Sequence, residues 1–95
     1  MTQQALATIQ IDDAHFRVTE WTFAPGTETG WHTHQLDYVV VPMTTGSLVL
    51  HTRDAEAPFD LIAGRTYTRP AGSEHNVSNP GTATVTFIEV EAKGR

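Results

Sequence analysis

Apolar and β-branched residues gather along this chain in short runs rather than at helical spacing. The runs cover Phe16 to Ala24, Tyr38 to Val41, Ser47 to Thr52, Phe59 to Ile62 and Thr84 to Val90, and each has the length and composition of a strand. Pro25-Gly26, Thr45-Gly46, Ala63-Gly64, Ala71-Gly72 and Pro80-Gly81 separate nearly all of them. Turn pairs at such intervals predict a meander and therefore an all-β sandwich or barrel. Closing the barrel would remove its exposed edges. In Thr82 to Val90, threonines mix with Val85, Phe87, Ile88 and Val90, so the two faces are not cleanly polar and apolar. The segment is expected to be a strand partly covered on both sides.

With 95 residues the chain is too short for two cores, and a single domain over residues 1–95 is expected. It contains no cysteine, which excludes disulfides and thiolate metal sites and leaves imidazole and carboxylate as ligands. The net charge of -5 comes from 11 acidic and 6 basic residues. Arg17, Arg53, Arg65, Arg69, Lys93 and Arg95 are scattered, so no nucleic-acid partner is expected. Met1 to Asp13 lacks a basic start followed by an apolar run, and no later stretch is long enough to cross a bilayer. A cytoplasmic protein without a membrane partner is expected.

His32 and His34 are one residue apart. On a strand both imidazoles then share a face, with Cβ atoms roughly 6 to 7 Å apart, and a metal can sit between them. The pair alone is read equally well as two surface histidines. A second segment changes that balance: Gly64, Pro70, Gly72, His75 and Asn79 follow one another as G-x-x-x-x-x-P-x-G-x-x-H-x-x-x-N. By average residue usage such a match arises on the order of once in 10^5 chains of this length. His75 is the natural third ligand.

The first segment, from Gly26 through His32 and His34 to Gly46, resembles motif one of the cupin superfamily, and Gly64 to Asn79 resembles motif two. The resemblance implies a jelly-roll β-barrel with one divalent metal ion, iron, nickel or zinc, held inside one mouth by His32, His34 and His75. The stretches RVTEWTFAP, Arg17 to Pro25, and DYVVVP, Asp37 to Pro42, look like those of minimal bacterial cupins associated with β-alanine degradation. Small cupins are commonly dimers, and a chain this short gains from burying sheet surface against a twin, so a homodimer is expected.

The family's motif one usually supplies a glutamate as fourth ligand four residues after its second histidine, whereas this chain has Tyr38 there and no glutamate within reach nearby. Tyr38 shares the parity of the two histidines and should point inward, as a barrel-lining hydroxyl rather than a phenolate. It is the candidate catalytic hydrogen-bond or proton donor, with Asp37 as the alternative contact to the metal should a bulge reverse the parity. Three neutral imidazoles leave the ion's charge and at least one coordination position open, which suits a small anionic or chelating ligand or substrate. The ligand number resembles that of the iron-dependent thiol and diketone-cleaving dioxygenases, so a dioxygenase-like enzyme leads. A metal-dependent hydrolase or isomerase and a non-enzymatic binding module are the alternatives; Glu28 and Glu74 lie near the ligands in sequence, but neither is a clear general base. His15 and His51 are read as bystanders, Trp21 and Trp31 as core or pocket wall, and Arg69 as a solvated charge.

Overall fold

A computed structural model of the chain describes residues 3–94; Met1, Thr2 and Arg95, which the 1–95 domain expectation includes, lie outside the described residues. The described residues form strands and no helix: β1 (Gln3–Gln4), β2 (Leu6–Asp12), β3 (Phe16–Phe23), β4 (Thr27–Glu28), β5 (His32–Thr33), β6 (Tyr38–Pro42), β7 (Gly46–His51), β8 (Glu56–Leu61), β9 (Tyr67–Arg69), β10 (Glu74–Ser78) and β11 (Val85–Ala92). The five expected runs correspond to β3, β6, β7, β8 and β11, within three residues at each end. Turn chemistry accounts for the ends: Gly26, Gly64 and Gly72 have φ of 84°, 80° and 90°, a region open to glycine and costly for other residues. Gly46 has no such φ; a Cβ there would lie 3.0 Å from the Val85 side chain.

Two sheets build a jelly roll. One runs β1-β4-β10-β7-β8, with β5 also paired to β10; the other runs β2-β3-β11-β6-β9. Among the described residues the expected closure does not occur, because the two ladders remain separate, with β1 and β8 at the ends of one and β2 and β9 at the ends of the other. Between the sheets lies a core that includes Phe23, Val40, Leu48, Leu61, Val77, Val85 and Phe87, in which the Phe23 and Phe87 rings stack 5.5 Å apart. Asn79 of motif two supports this core from one end. Its fully buried amide donates to the carbonyls of Phe23 and Ala83, both at 2.9 Å, and accepts the Gly81 N–H at 3.0 Å.

The central strand β11 pairs with β3 on one side and β6 on the other. Val85, Phe87, Glu89 and Glu91 point inward and are buried, while Thr86, Ile88 and Val90 are half-buried on the outside. The expected partial cover on both faces is thus met unequally. One face meets the opposite sheet, and no third layer of described residues lies on the other. The mixed pattern has another cause: two carboxylates face in and two aliphatic side chains face out.

Candidate metal centre

His32 and His75 stand directly opposite each other in the antiparallel β5–β10 pair. His34 follows just after β5, where its N–H donates to the Ser73 carbonyl at 2.9 Å and its carbonyl accepts the Gly72 N–H at 2.7 Å. The left-handed turn at Gly72 is thus what docks the segment carrying His34 onto the start of β10. The three rings meet edge to face with centroids 4.7 to 5.1 Å apart. The His32 and His34 Nε2 atoms are 3.1 Å apart, and those of His34 and His75 3.2 Å.

Two nitrogens each about 2.1 Å from one ion stand about 3.0 to 3.4 Å apart for angles between square and tetrahedral. These two spacings fall in that range, and all three ligand nitrogens lie within 4.8 Å of one another. His32 Nδ1–H donates to the Gly30 carbonyl at 2.9 Å, leaving the Nε2 lone pair turned toward the other rings. Gly30 is held in turn by its N–H donating to Asn76 Oδ1 at 2.9 Å. Burial, reinforced by the neighbouring imidazoles and Arg69, pushes His34 and His75 down to about 4. Both therefore present neutral nitrogens at neutral pH. Neutral imidazole nitrogens gathered this closely offer lone pairs to a cation, and the three side chains form a group that could hold one.

Tyr38 points inward as its parity predicts and is 3 % exposed. Its ring lies flat on His34, 4.0 Å between centroids and 23° between planes. Burial, aided by the charge of Glu89, raises its phenol well above the ordinary value, so it stays protonated and is unsuited to being a phenolate ligand. Asp37 is engaged elsewhere, its Oδ1 accepting the Ala71 N–H at 2.8 Å.

The expectation that no glutamate lies within reach is overturned by Glu89. Its Oε2 is 4.0 Å from His34 Nε2, and its Oε1 accepts the Trp21 indole N–H at 3.2 Å. Burial pushes its carboxyl up to about 7, against the opposing Trp21 hydrogen bond and with a further push from Glu91. Fourteen residues after His75 in sequence, it is brought to the site only by the insertion of β11 between β3 and β6. Parity with Val85 and Phe87 was the available signal. Asn76 was also missed, though it lies beside His75. Glu28 accepts from Asn76 Nδ2 at 3.2 Å, and Glu74 pairs with Arg53 at 2.7 Å; neither is an alternative base.

His32 and His34 open onto a cavity of 340 Å³. Its wall is apolar at Ala7, Ile9 and Trp21 and charged at Glu89, Glu91 and Arg17. Arg17 reaches Glu91 at 3.6 Å and Asp12 at 3.8 Å. The bystander histidines lie apart from the cluster: His51 bonds Ser78 and Glu56, and His15 is exposed. Trp21 is the pocket wall expected of it, whereas Trp31 is 56 % exposed because it faces away from its neighbour His32. Arg69 is half-buried rather than solvated, its guanidinium 5.9 Å over the Tyr67 ring.

Comparison with known proteins shows the family and the fold. Residues 19–91 match the family model described as "Cupin domain". The beta-alanine degradation protein BauB of Pseudomonas aeruginosa is 52 % identical over 90 residues, 95 % of each chain. The crystal structure of a cupin domain from Bordetella pertussis Tohama I superposes with a TM-score of 0.96 at 51 % identity, covering 99 % of this chain and 98 % of that one. A protein with a double-stranded β-helix domain from Klebsiella pneumoniae shares the fold alone, with a TM-score of 0.78 at 22 % identity over 97 % of this chain and 79 % of that one.

Proposed function

The chain belongs to the cupin family, and from that premise we propose that it holds one divalent metal ion on His32, His34 and His75 and acts on a small anionic or chelating metabolite in a dioxygenase-like reaction. The observation that carries this reading is the clustering of the three imidazoles, their ligand nitrogens within 4.8 Å of one another, with His32 and His34 lining the cavity. Bound there, iron(II) would supply open coordination positions and the redox chemistry that oxygen activation needs. Trp21 gives a small ligand an apolar wall, and Arg17 on the cavity wall offers a guanidinium, shared with Glu91 and Asp12, to its anionic end. The name of the Pseudomonas relative, which concerns the breakdown of a small amino acid, suits a cavity of this size and charge. A cytoplasmic location and a homodimer go with the same reading.

Glu89 favours a second reading, in which the ion serves as Lewis acid for an isomerisation or hydrolysis. With one oxygen fixed by Trp21 and a carboxyl pushed up to about 7, Glu89 can take or release a proton near neutral pH. Tyr38 is the candidate donor at the other side of His34. The non-enzymatic binding module is distinguished by Tyr38→Phe, which leaves ligand affinity nearly intact in a module and lowers turnover in an enzyme that uses the hydroxyl.

Elemental analysis of protein purified without added metal, beside His32→Ala and His75→Ala, tests the proposal. About one equivalent of iron, absent from both variants, followed by oxygen uptake with a panel of thiols, diketones and amino acids, is the expected result. One equivalent of zinc or nickel with no oxygen uptake by the iron-reconstituted protein selects the second reading. Absence of metal from every sample, with none taken up on addition, overturns both.

A further inference from the structure

An arginine on a barrel strand reads as a solvated charge, but β9 stands Arg69 directly opposite Tyr38 of β6. Side chains at directly opposed positions share one face of a sheet, and Tyr38 is buried on the inner face with its ring on His34. Arg69 is therefore directed inward. It is half-buried, and its guanidinium lies 5.9 Å over the ring of Tyr67, two residues earlier on the same face. Among the described residues no carboxylate oxygen lies within 4.0 Å of this guanidinium, whereas Arg17, Arg53 and Lys93 each have such a partner. Arg65 also lacks one but is exposed to water. A charge drawn partly out of water without a counterion is costly, so the position of Arg69 calls for an anion that the chain itself does not supply.

The imidazoles stand between two cavities. His32 and His34 border the one of 340 Å³, His75 borders a smaller one of 20 Å³ between the two sheets, and Glu89 borders both. The smaller cavity has room for about one water-sized group. Arg69 is the one guanidinium on its wall, beside Tyr38, Tyr67, Leu50 and Phe59, and it also borders a 460 Å³ hollow beside β9. Its charge reaches the imidazoles: after burial and the neighbouring rings, Arg69 is a further cause of the low values of His34 and His75. From these observations we infer that Arg69 forms an anion subsite in the inner cavity, where it takes the end of a compact anionic group bound at the metal. The fixed fork of guanidinium donors suits a carboxylate or a linear triatomic anion. A larger body does not fit this space and belongs in the 340 Å³ cavity. Two sources supply such a group: a separate small anion, or the carboxylate end of the metabolite itself.

This inference rests on the metal ion of the proposed function and adds the residue that recognises the charge of its ligand. The test titrates azide, glycolate and glycolamide into the cobalt(II)-loaded protein and reads the visible bands of the ion. It compares wild type with Arg69→Met, Arg69→Lys and, as a control for losing one positive charge at an exposed position, Arg65→Met. Arg69→Met should bind azide or glycolate at least about tenfold more weakly, and Arg65→Met should stay within about twofold of wild type. Arg69→Lys keeps the charge without the fork and should fall between; it carries the test if Arg69→Met does not fold. Circular dichroism and one equivalent of bound cobalt establish that each variant is intact. A loss for glycolate but not for glycolamide assigns the subsite to the carboxylate end of the metabolite, and a loss for azide alone assigns it to a separate small anion. A wild type that takes up no cobalt overturns the metal reading and the subsite with it. Bound cobalt with azide and glycolate affinities unchanged in Arg69→Met, or lowered no more than in Arg65→Met, overturns the subsite alone.

Discussion

Along the inward side of β11, the first half and the second half do opposite work. Val85 and Phe87 enter the dry core and pack against Phe23 and its neighbours. Glu89 and Glu91, on the same strand and the same side, are buried beside His34, Trp21 and Arg17. The core half gains stability by removing apolar area from water. The other half gives up that gain to place carboxylates and imidazoles around a charge. A single eight-residue strand thus sets core and site at a fixed separation, which gives the site rigid support.

The sharpest break in this comparison is His34→Ala. It removes the central nitrogen, the one in contact with both others, and should abolish stoichiometric metal uptake measured by elemental analysis, while circular dichroism stays that of the wild type. In the core half, Phe87→Ala should cost about 3 to 5 kcal/mol in denaturant unfolding. Metal stoichiometry should survive in whatever fraction remains folded. If Phe87→Ala lost metal while fully folded, the two halves would not be separable.

The same contrast explains what could be read from sequence. β3, β6, β7 and β8 follow their apolar and β-branched runs because one side of each meets the core. The strand β10, Glu-His-Asn-Val-Ser, carries a ligand and its support beside a single core residue, Val77, so its pattern shows no strand, and His75 was legible only through the motif spacing. β2 has no buried side at all, and no burial pattern could mark it. The histidines were legible because motif spacing and strand parity are local properties. Glu89 was not, because its approach to His34 is created by the sheet order alone.

Titration of the metal-free protein sharpens the contrast further, since the site's two kinds of group push in opposite directions. His34 and His75, lowered from 6.5 to about 4, are protonated in the unfolded chain before the folded one. Their contribution to stability is full above about pH 6.5 and is lost as pH falls toward 4. Glu89, raised from 4.5 to about 7, binds its proton more tightly when folded. Its contribution is full below about pH 4.5 and is lost as pH rises through 7. Glu89→Gln should therefore gain stability relative to wild type between pH 5 and 8, by up to about 3 kcal/mol. A wild-type-minus-variant difference that stays flat over this window in urea titrations would place Glu89 in a solvated setting instead.

The smallest effect tests how the site is supported rather than what it contains. Asn76 acts on the site through Gly30: its Oδ1 accepts the Gly30 N–H, and the Gly30 carbonyl in turn accepts the His32 Nδ1–H. Removing a partner of this kind typically costs 10- to 100-fold in metal affinity, about 1.4 to 2.7 kcal/mol. Asn76→Ala should weaken metal binding by that factor in competition with a chelator while keeping one equivalent at saturation. Asn76→Asp should recover part of the loss, because it keeps an acceptor for Gly30. If neither substitution moved the affinity, the Gly30 turn alone would suffice to orient His32. The left-handed φ of 85° at Gly30 would then be the feature to change next, and Gly30→Ala should disturb His32 where Asn76→Ala did not.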